Sequence, residues 1–368
     1  LFRSIVGGSS KKRGVVSTAS YEARRYGVHS AMPAYQAERL CPEAIWTNGN
    51  FARYREVSDQ VMSFLCDETP FVEQVSIDEA FFDVTPGRWS RESPVDICRR
   101  VQARVAELGI TCSIGIGVNK TVAKIASERE KPRGLTVVFP GTERAFLAPL
   151  PVGSMSGVGA ATQAKLKSMG IRTLGQLSRL PEPDAERAFG VHGPRMAQRA
   201  AGLERSQVAR RSDPEDPKSV SNERTFGKDL TDEAEIRAAI MHIAGIVGGR
   251  LRKKGLKGNT VTLKVKYDAT TGRSAQTRLP VPSDEERVFG REALALLPQL
   301  WSLGMHVRLL GVGISGFDQT EPVQLGLFAD PEAKRSEEAS ALSRACDELK
   351  TRFGESAVRY GRDLRFDG

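Results

Sequence analysis

The spacing of apolar residues divides the chain into stretches with different predicted secondary structure. Over residues 51–140 helix-like and strand-like periods alternate, which predicts a mixed sheet packed with helices. The predicted elements are a helix through Val57, Val61, Phe64 and Leu65, a strand region over 72–84, a helix through Val95, Cys98, Val101 and Val105, a strand over 111–118 and a helix after Asn119. From 145 to about 206 the predicted elements are short helices joined by glycine-containing turns.

The two ends of the chain differ from this middle part. Residues 1–50 form a small basic lobe with a predicted strand over 14–19 and a predicted helix over 21–26. Residues 210–217 are polar and contain two prolines, so we predict a linker there and a new domain from about 218. Its pattern is βαββαβ, with strands over 220–226, 260–267, 274–279 and 306–314, one helix on the stripe Ile236, Ile240, Ile243, Val247 and Leu251, and another over 289–300. This order predicts the split arrangement of ferredoxin-like folds, and a last helix is predicted over 336–353.

Composition and charge restrict the possible functions. With 40% hydrophobic and 27% charged residues, the 368-residue chain is typical of a globular protein of two or three domains, and no apolar run is long enough to cross a membrane. The net charge of +9 favours a polyanionic partner. The five cysteines form no CxxC pair and the four histidines no HxxxH, which excludes a zinc cluster and indicates cytoplasmic thiols. A catalytic metal would therefore be held by oxygen. No secretory signal pattern is visible.

The strongest candidate for such an oxygen site is the neighbouring pair Asp78 and Glu79. Strict alternation along one strand would send the two carboxylates to opposite faces, so we predict a hairpin whose tip carries both. Mg²⁺ prefers carboxylates, water and substrate phosphates as ligands. The alternative is a solvated turn, because turns favour aspartate and other polar residues whether or not a ligand binds.

Three separated segments give this pair a context: Ser17-Thr18-Ala19-Ser20-Tyr21-Glu22-Ala23-Arg24, Ser76-Ile77-Asp78-Glu79-Ala80, and Gly115-Ile116-Gly117-Val118-Asn119-Lys120-Thr121-Val122-Ala123-Lys124. Together they strongly resemble the Y-family, or translesion, DNA polymerases, and most closely their bacterial DinB branch. The likeness continues in order to about Phe317. It implies an α+β multidomain right hand that adds deoxynucleotides to a primer with low fidelity on damaged templates. The resemblance assigns fingers to 1–50, palm to 51–144, a small helical thumb with a helix-hairpin-helix to 145–209, a linker to 210–218, a βαββαβ little finger to 219–318 and a tail to 319–368.

The family's first palm strand has no counterpart in residues 1–368. That strand carries an Asp-x-Asp-x-Phe-Phe-like motif with a third metal carboxylate and an aromatic gate against ribonucleotides, whereas residues 1–8 resemble the entry to the fingers. No residue is therefore assigned to either role. We expect negligible polymerase activity if the chain truly begins at Leu1, and an active enzyme if the strand precedes it.

The resemblance also implies the roles of particular residues in two-metal phosphoryl transfer. Asp78 and Glu79 are the expected ligands of two Mg²⁺ ions, with Glu79 on the primer side. The expected contacts of the dNTP triphosphate are Thr18, Tyr21, Arg24 and Lys131. The alternative for Tyr21 and Arg24 is a solvated helix face, since a spacing of three residues is common on any helix, and the alternative for Lys131 is a loop residue that aids solubility. The segment before Lys120 lacks the glycine of a phosphate-binding GxxxxGK[ST] loop, so an ATPase site is rejected.

Further segments suggest how primer-template DNA would be held. Gly157 and Gly159 in a GVG turn, followed by Lys165, look like a helix-hairpin-helix that receives a DNA phosphate; the alternative is a tight turn. Over 250–273 there are eight basic residues against one acidic residue, which favours a DNA-backbone surface that includes Arg252, Lys264 and Lys266 over a solvated sheet face.

A short apolar peptide stands out in the polar tail. Gln324, Leu325, Leu327 and Phe328 resemble the QLxLF peptide that bacterial polymerases insert into the sliding clamp; alternatively, this peptide packs back onto the last domain. We expect a monomer with no membrane contact. Two rival functions remain at this stage. One is a non-catalytic Y-family relative that bridges DNA and other polymerases, and the other is a helix-hairpin-helix nuclease or plain DNA-binding module.

Overall fold

The computed structural model describes residues 2–88, 90–213, 217–317, 331–354, 357–359 and 361, with the backbone alone over 331–340. The chain divides into two compact units, one formed by Leu1–Gly49 with Asp216–Gly368 and the other by Asn50–Glu215. No helix in the described part of the chain is both long and apolar enough to span a bilayer.

The first unit begins with a small three-stranded sheet. Strand β1 (Ser4–Gly7) lies between β2 (Val16–Ala19), which is antiparallel to it, and β3 (Ile45–Thr47), which is parallel to it. Helices α1 (Tyr21–Arg24) and α2 (Ala34–Leu40) complete this part. The predicted strand and helix over 14–26 are confirmed as β2 and α1, and the Ser20 hydroxyl caps α1 by accepting from the Ala23 amide.

The second unit begins with helices and two short strand pairs. Its elements are α3 (Phe51–Glu68), β4 (Val72–Gln74), β5 (Ala80–Phe82), α4 (Pro94–Glu107), β6 (Ile114–Ile116), α5 (Lys120–Arg129) and β7 (Leu135–Val137). The predicted helices and strands are confirmed, but they do not form one mixed sheet within the described residues. Instead β4 and β5 pair as an antiparallel hairpin, and β6 and β7 pair in parallel across α5. Both pairings join strands that are neighbours in sequence.

The second unit ends in the predicted short helices. These are α6 (Glu143–Leu147), α7 (Ala160–Ser168), α8 (Leu174–Leu177), α9 (Glu182–Phe189) and α10 (His192–Ala200). They share one buried core with α5, which includes Val122, Leu147, Leu166 and Leu174. The helical part and α5 are therefore packed as one body.

The first unit ends in a four-stranded antiparallel sheet covered by helices. The elements are β8 (Ser219–Leu230), α11 (Glu233–Lys253), β9 (Gly258–Lys266), β10 (Gly272–Ser283), α12 (Glu286–Leu300), β11 (Val307–Ser315) and α13 (Pro331–Phe353). The order β10-β9-β11-β8 confirms that each βαβ crossover is split by one strand. It differs from a ferredoxin-like sheet, because the second and fourth strands of the motif are central here and not the first and third. Helix α13 begins five residues before the predicted start.

Candidate active site and nucleic-acid surfaces

The acidic pair lies at the tip of the hairpin formed by β4 and β5, as predicted. The strands pair from Val72 opposite Phe82 to Gln74 opposite Ala80, and the amides of Val75 and Ser76 both donate to the Glu79 carbonyl, at 2.9 and 3.1 Å. These bonds close a tight bend, from which both acidic side chains project to the surface. An exposed bend thus presents two carboxylates on one short segment.

The Asp78 carboxylate is oriented by its own bend. The Ser76 hydroxyl donates to Asp78 Oδ1, and the Asp78 amide donates to the Ser76 hydroxyl oxygen at 3.2 Å. This arrangement leaves further carboxylate lone pairs available, because each ionised carboxylate can accept several bonds. In the described part of the chain, no three Asp, Glu, His or Cys side chains are grouped as a metal site. Two exposed oxygen donors fit a hard cation that takes its other ligands from water and phosphate.

Glu79 instead contacts a lysine of α5. Lys124 Nζ donates to Glu79 Oε1 and also lies 3.2 Å from Glu128 Oε1, and Lys131 Nζ donates to the same Glu128 oxygen at 2.7 Å. Partial burial acts to lower the pKa of Lys124, but its bonds to the two glutamates outweigh this and hold that pKa above its usual value. For Glu128, burial acts to raise the pKa, but the two lysines hold it below its usual value.

The lysine one turn earlier on α5 contacts the base of the same hairpin. Lys120 Nζ donates to both carboxylate oxygens of Glu73, each at 2.9 Å, and Glu73 Oε2 also accepts from the Ala209 amide at 3.0 Å. No local sequence pattern gives Lys120 or Lys124 these partners. Both are paired with carboxylates of the hairpin, from which they are separated by more than forty residues.

Helix α5 is held by a cap, by two glycines and by a distant glutamate. Asn119 Oδ1 accepts from the Val122 amide at 3.0 Å. A Cβ on Gly115 in β6 would lie 2.1 Å from the Ala123 carbonyl oxygen, and one on Gly117 would lie 2.6 Å from Val122 Cγ1, so both glycines make room for α5.

The distant glutamate is Glu204, whose Oε2 accepts from the Thr121 amide in the first turn of α5 at 2.8 Å. Burial acts to raise the pKa of Glu204, but bonds from Thr121 and Ser206 and the nearby Arg199 hold it below its usual value. Sequence reasoning missed Glu204, since no local pattern links it to α5.

The predicted nucleotide contacts are distributed over both units. Thr18, Tyr21 and Arg24 belong to the first unit, where Arg24 Nη2 donates to the Thr18 hydroxyl at 3.4 Å and Arg24 Nε to the Ala19 carbonyl at 3.0 Å. The Tyr21 side chain is half-exposed on α1. Lys131 belongs to the second unit and follows α5 by two residues.

The predicted helix-hairpin-helix turn has an uncapped helix start. Gly157 adopts a φ of +91°, and Gly159 is the N-cap of α7 with no side-chain hydrogen bond to the first helical amides. The first amides of a helix have no partner inside it and can receive an anion. The Lys165 ammonium already has partners within the protein: it donates to the Ala188 carbonyl and lies 5.2 Å from the centre of the Phe189 ring.

The basic residues predicted to bind DNA in the last domain lie in two different environments. Lys264 and Lys266 alternate with the buried Val261, Leu263 and Val265 of β9, so they lie on the sheet face away from the core, where Lys264 pairs with Glu223 at 2.7 Å.

The DNA contact predicted for Arg252 is not supported by the structure. Its side chain is only 9% exposed and is paired with Glu286 at 2.8 Å and Asp347 at 2.6 Å. A guanidinium that is buried and held by two carboxylates is a structural group between helices, not a free contact for phosphate. The predicted clamp residues Gln324, Leu325, Leu327 and Phe328 lie outside the described residues.

Comparisons with known proteins cover nearly the whole chain. The impB/mucB/samB family matches residues 3–128, the C-terminal domain of that family matches 217–327, and the HHH motif of the IMS family matches 140–171. A DNA polymerase IV of Dehalococcoides mccartyi (strain CBDB1) is 38% identical over 363 residues, which cover 98% of this chain and 91% of the relative. A DNA polymerase IV of Alkalilimnicola ehrlichii is 42% identical over 330 residues, 88% of this chain and 91% of the relative.

Solved structures agree in fold. A Y-family DNA polymerase chimera, Dbh-Dpo4(243-245)-Dbh, matches with a TM-score of 0.75 at 24% identity, over 86% of this chain and 92% of that chain. The predicted right-hand architecture and the predicted polymerase activity are thereby confirmed, and the non-catalytic alternative is not favoured. The chain therefore belongs to the impB/mucB/samB family, the DinB-type Y-family DNA polymerases that carry out translesion synthesis.

Proposed function

We propose that Asp78 and Glu79 hold the divalent metal ions on which polymerases of this family depend, and that these are two Mg²⁺ ions. The observation that carries the proposal is the bend at the tip of β4 and β5, which presents both carboxylates to solvent on adjacent residues. Carboxylate oxygens such as these are the ligands that a hard dication would prefer. Glu79 would be the ligand on the primer side, and Asp78 would be a ligand shared by the pair.

The chain's own residues then bind and orient the substrates. Two metal ions supply charge neutralisation at the attacking and leaving oxygens of an in-line displacement. Thr18, Tyr21, Arg24 and Lys131 donate hydrogen bonds to the triphosphate of the dNTP, for which guanidinium and ammonium groups are suited. The contact between Arg24 and Thr18 supports this role, because it holds two of the donors side by side.

The primer-template DNA is gripped through its backbone. The amides after Gly157 and Gly159 receive one phosphate, and Lys264 and Lys266 on the outer face of the last sheet attract others. The similarity to DNA polymerase IV relatives supports DNA and nucleotide as the partners. In this proposal residues 1–50 are fingers, 51–144 palm, 145–209 thumb, 210–218 linker, 219–318 little finger and 319–368 tail.

The test is primer extension with Asp78→Ala, in protein that carries any residues encoded before Leu1. We expect pyrophosphate release that depends on dNTP in the parent and is abolished in the variant, while DNA affinity measured by anisotropy is retained. The control is Asp59→Ala, an acid of α3 outside the hairpin. Unchanged synthesis by the Asp78 variant would exclude this metal site. DNA binding without synthesis by the parent would instead favour a bridging factor.

The tail adds a proposed partner, the bacterial sliding clamp. The apolar residues Leu325, Leu327 and Phe328 follow Gln324 in an otherwise polar segment, and an apolar peptide of this kind suits insertion into a hydrophobic groove. Alanine at Leu327 and Phe328 is expected to abolish co-elution of the monomeric protein with the clamp, whereas Thr320→Ala retains it. Co-elution that survives the double substitution contradicts the proposal.

A further inference from the structure

Four side chains of alternating charge form a chain of contacts in the second unit. Glu79 contacts Lys124, Lys124 lies 3.2 Å from Glu128, and Glu128 accepts from Lys131 at 2.7 Å. All four are partly exposed. Glu79, at one end, is a proposed metal ligand, and Lys131, at the other, is a proposed triphosphate contact. The two middle residues have no role in the function proposed above.

The secondary structure explains why these groups meet. Lys124 and Glu128 are one helical turn apart on α5, which places them on the same face of the helix. Lys131 follows just beyond the end of α5, within reach of Glu128, and the hairpin tip brings Glu79 to Lys124. Each middle residue thus has two partners of opposite charge, and one of these partners also belongs to a proposed substrate or metal site.

We propose that Lys124 and Glu128 are positioning residues that couple metal binding at Glu79 to triphosphate binding at Lys131; the inference rests on the function proposed above. The oxygen Glu79 Oε1 is occupied by the Lys124 ammonium, so a metal ion that takes this oxygen displaces the ammonium. Lys124 then pairs with Glu128 alone. Glu128 holds Lys131 less strongly as a result, and Lys131 is released toward phosphate.

The coupling works in both directions. A triphosphate that draws Lys131 away from Glu128 strengthens the pair of Glu128 with Lys124, which weakens the hold of Lys124 on Glu79. Such reciprocity is required of any coupling between two binding equilibria. Because the four side chains are partly exposed, each pair contributes modestly, so we expect effects of about three- to fivefold rather than orders of magnitude.

Binding measurements on inactive complexes test the two middle residues separately from catalysis. The first probe is Mn²⁺, titrated in the absence of nucleotide and followed by electron paramagnetic resonance. Lys124→Gln removes the competing ammonium, so we expect its Mn²⁺ dissociation constant to fall about three- to fivefold. A lysine with a purely structural role would leave metal affinity unchanged or weaken it, and either result overturns the proposal.

The second probe is a non-hydrolysable dNTP analogue, titrated with and without Mg²⁺. In Glu128→Gln, Lys131 is no longer held, so we expect affinity without metal to rise and the gain on adding Mg²⁺ to fall about threefold. Glu128→Asp is expected to restore part of the coupling. The matched control is Glu107→Gln, which removes the same charge from the exposed face of α4. A gain on adding Mg²⁺ equal to that of the parent contradicts the proposal.

The outcome also separates this inference from the proposed function. If Asp78→Ala abolishes synthesis while the lysine and glutamate variants keep the parent's metal and nucleotide affinities, only the coupling is wrong. If Asp78→Ala leaves synthesis intact, the metal site itself is wrong. Thermal melting of each variant identifies any that fail to fold, and Lys124→Met and Glu128→Ala then replace them in the same two titrations.

Discussion

Replacing Arg252 with methionine is expected to destabilise the last domain without weakening its contact with DNA. The Arg252 guanidinium pairs with Glu286 at 2.8 Å and Asp347 at 2.6 Å, and it donates to the Asp284 carbonyl at 3.1 Å. Its side chain is 9% exposed, and that of Glu286 is 2% exposed. The arginine thereby joins α11 to both α12 and α13.

A loss of stability is expected because the carboxylates of Glu286 and Asp347 lose this positively charged partner when the guanidinium is removed. Removing one partner of a buried ion pair costs about 3–5 kcal/mol, because the other charge stays in a poorly solvated place. Asp347 is 33% exposed and can regain water, so we expect a loss near the lower end, about 3 kcal/mol. Methionine fills a similar volume, so the cavity contribution is small. For a last domain of about 100 residues, a loss of about 3 kcal/mol should lower the melting temperature by roughly 12–24 °C.

The fluorescence of Trp301 reports this domain, because its side chain is 7% exposed within the same core. Trp46 and Trp89 are replaced by phenylalanine so that only this reporter remains. DNA affinity is measured by anisotropy over a range of salt concentrations. The matched control is Lys264→Met, which removes one positive charge from the outer sheet face. It should weaken DNA binding and change unfolding by less than about 1 kcal/mol. If Arg252→Met melts like the parent but loses DNA affinity as this control does, the structural role is refuted.

Other features give smaller predictions. Glu204→Gln should cost about 1 kcal/mol at neutral pH, since it weakens a bond to the first turn of α5. The lowered pKa of Glu204 stabilises the fold fully above its unfolded value of 4.5, and this contribution is lost as pH falls through the lower folded value, so the unfolding free energies of parent and variant should converge as pH falls below 4.5. Gly115→Ala should destabilise by about 1–3 kcal/mol in a thermal melt, because its Cβ would lie 2.1 Å from the Ala123 carbonyl oxygen; an unchanged melt would show that α5 can move aside. Burial raises the pKa of Cys98 to about 12, so a thiol reagent at pH 8 should label the exposed Cys66 and reach Cys98 only on unfolding, as peptide mapping would show.

Local patterns in the sequence predict the local elements well. The alternation over 72–84 together with two adjacent acids predicts the bend, because one strand cannot place both carboxylates on one face. The stripe from Ile236 to Leu251 predicts α11, whose apolar side is buried as expected. In both cases a few neighbouring residues determine the structure, and tertiary contacts do not override them.

The order of strands in a sheet depends on distant pairings that no local pattern carries. The βαββαβ alternation of the last domain is compatible with more than one strand order, and the order found places β9 and β11 in the centre. These two strands each carry three alternating apolar residues that are all buried, Val261, Leu263 and Val265 on β9 and Leu310, Val312 and Ile314 on β11. The apolar residues in the sequence thus indicate that the second and fourth strands are more buried, which favours central positions for them in the sheet.

The roles of charged residues are the least predictable, because the sequence gives the sign of each charge but not the residue with which it pairs. The basic excess over 250–273 favours DNA, yet Arg252 within it is buried against carboxylates 34 and 95 residues away. The sequence one helical turn before Arg252 does indicate this burial. Gly248 occupies the same side of α11, and a Cβ there would come within 2.9 Å of Glu286 and 3.0 Å of the Arg252 guanidinium. A glycine at the buried side of a helix, four residues before an arginine, makes room for that side chain to turn inward. Basic residues that follow such a glycine should therefore not be counted toward a DNA surface, whereas Lys264 and Lys266, which alternate with buried residues on a strand, should be.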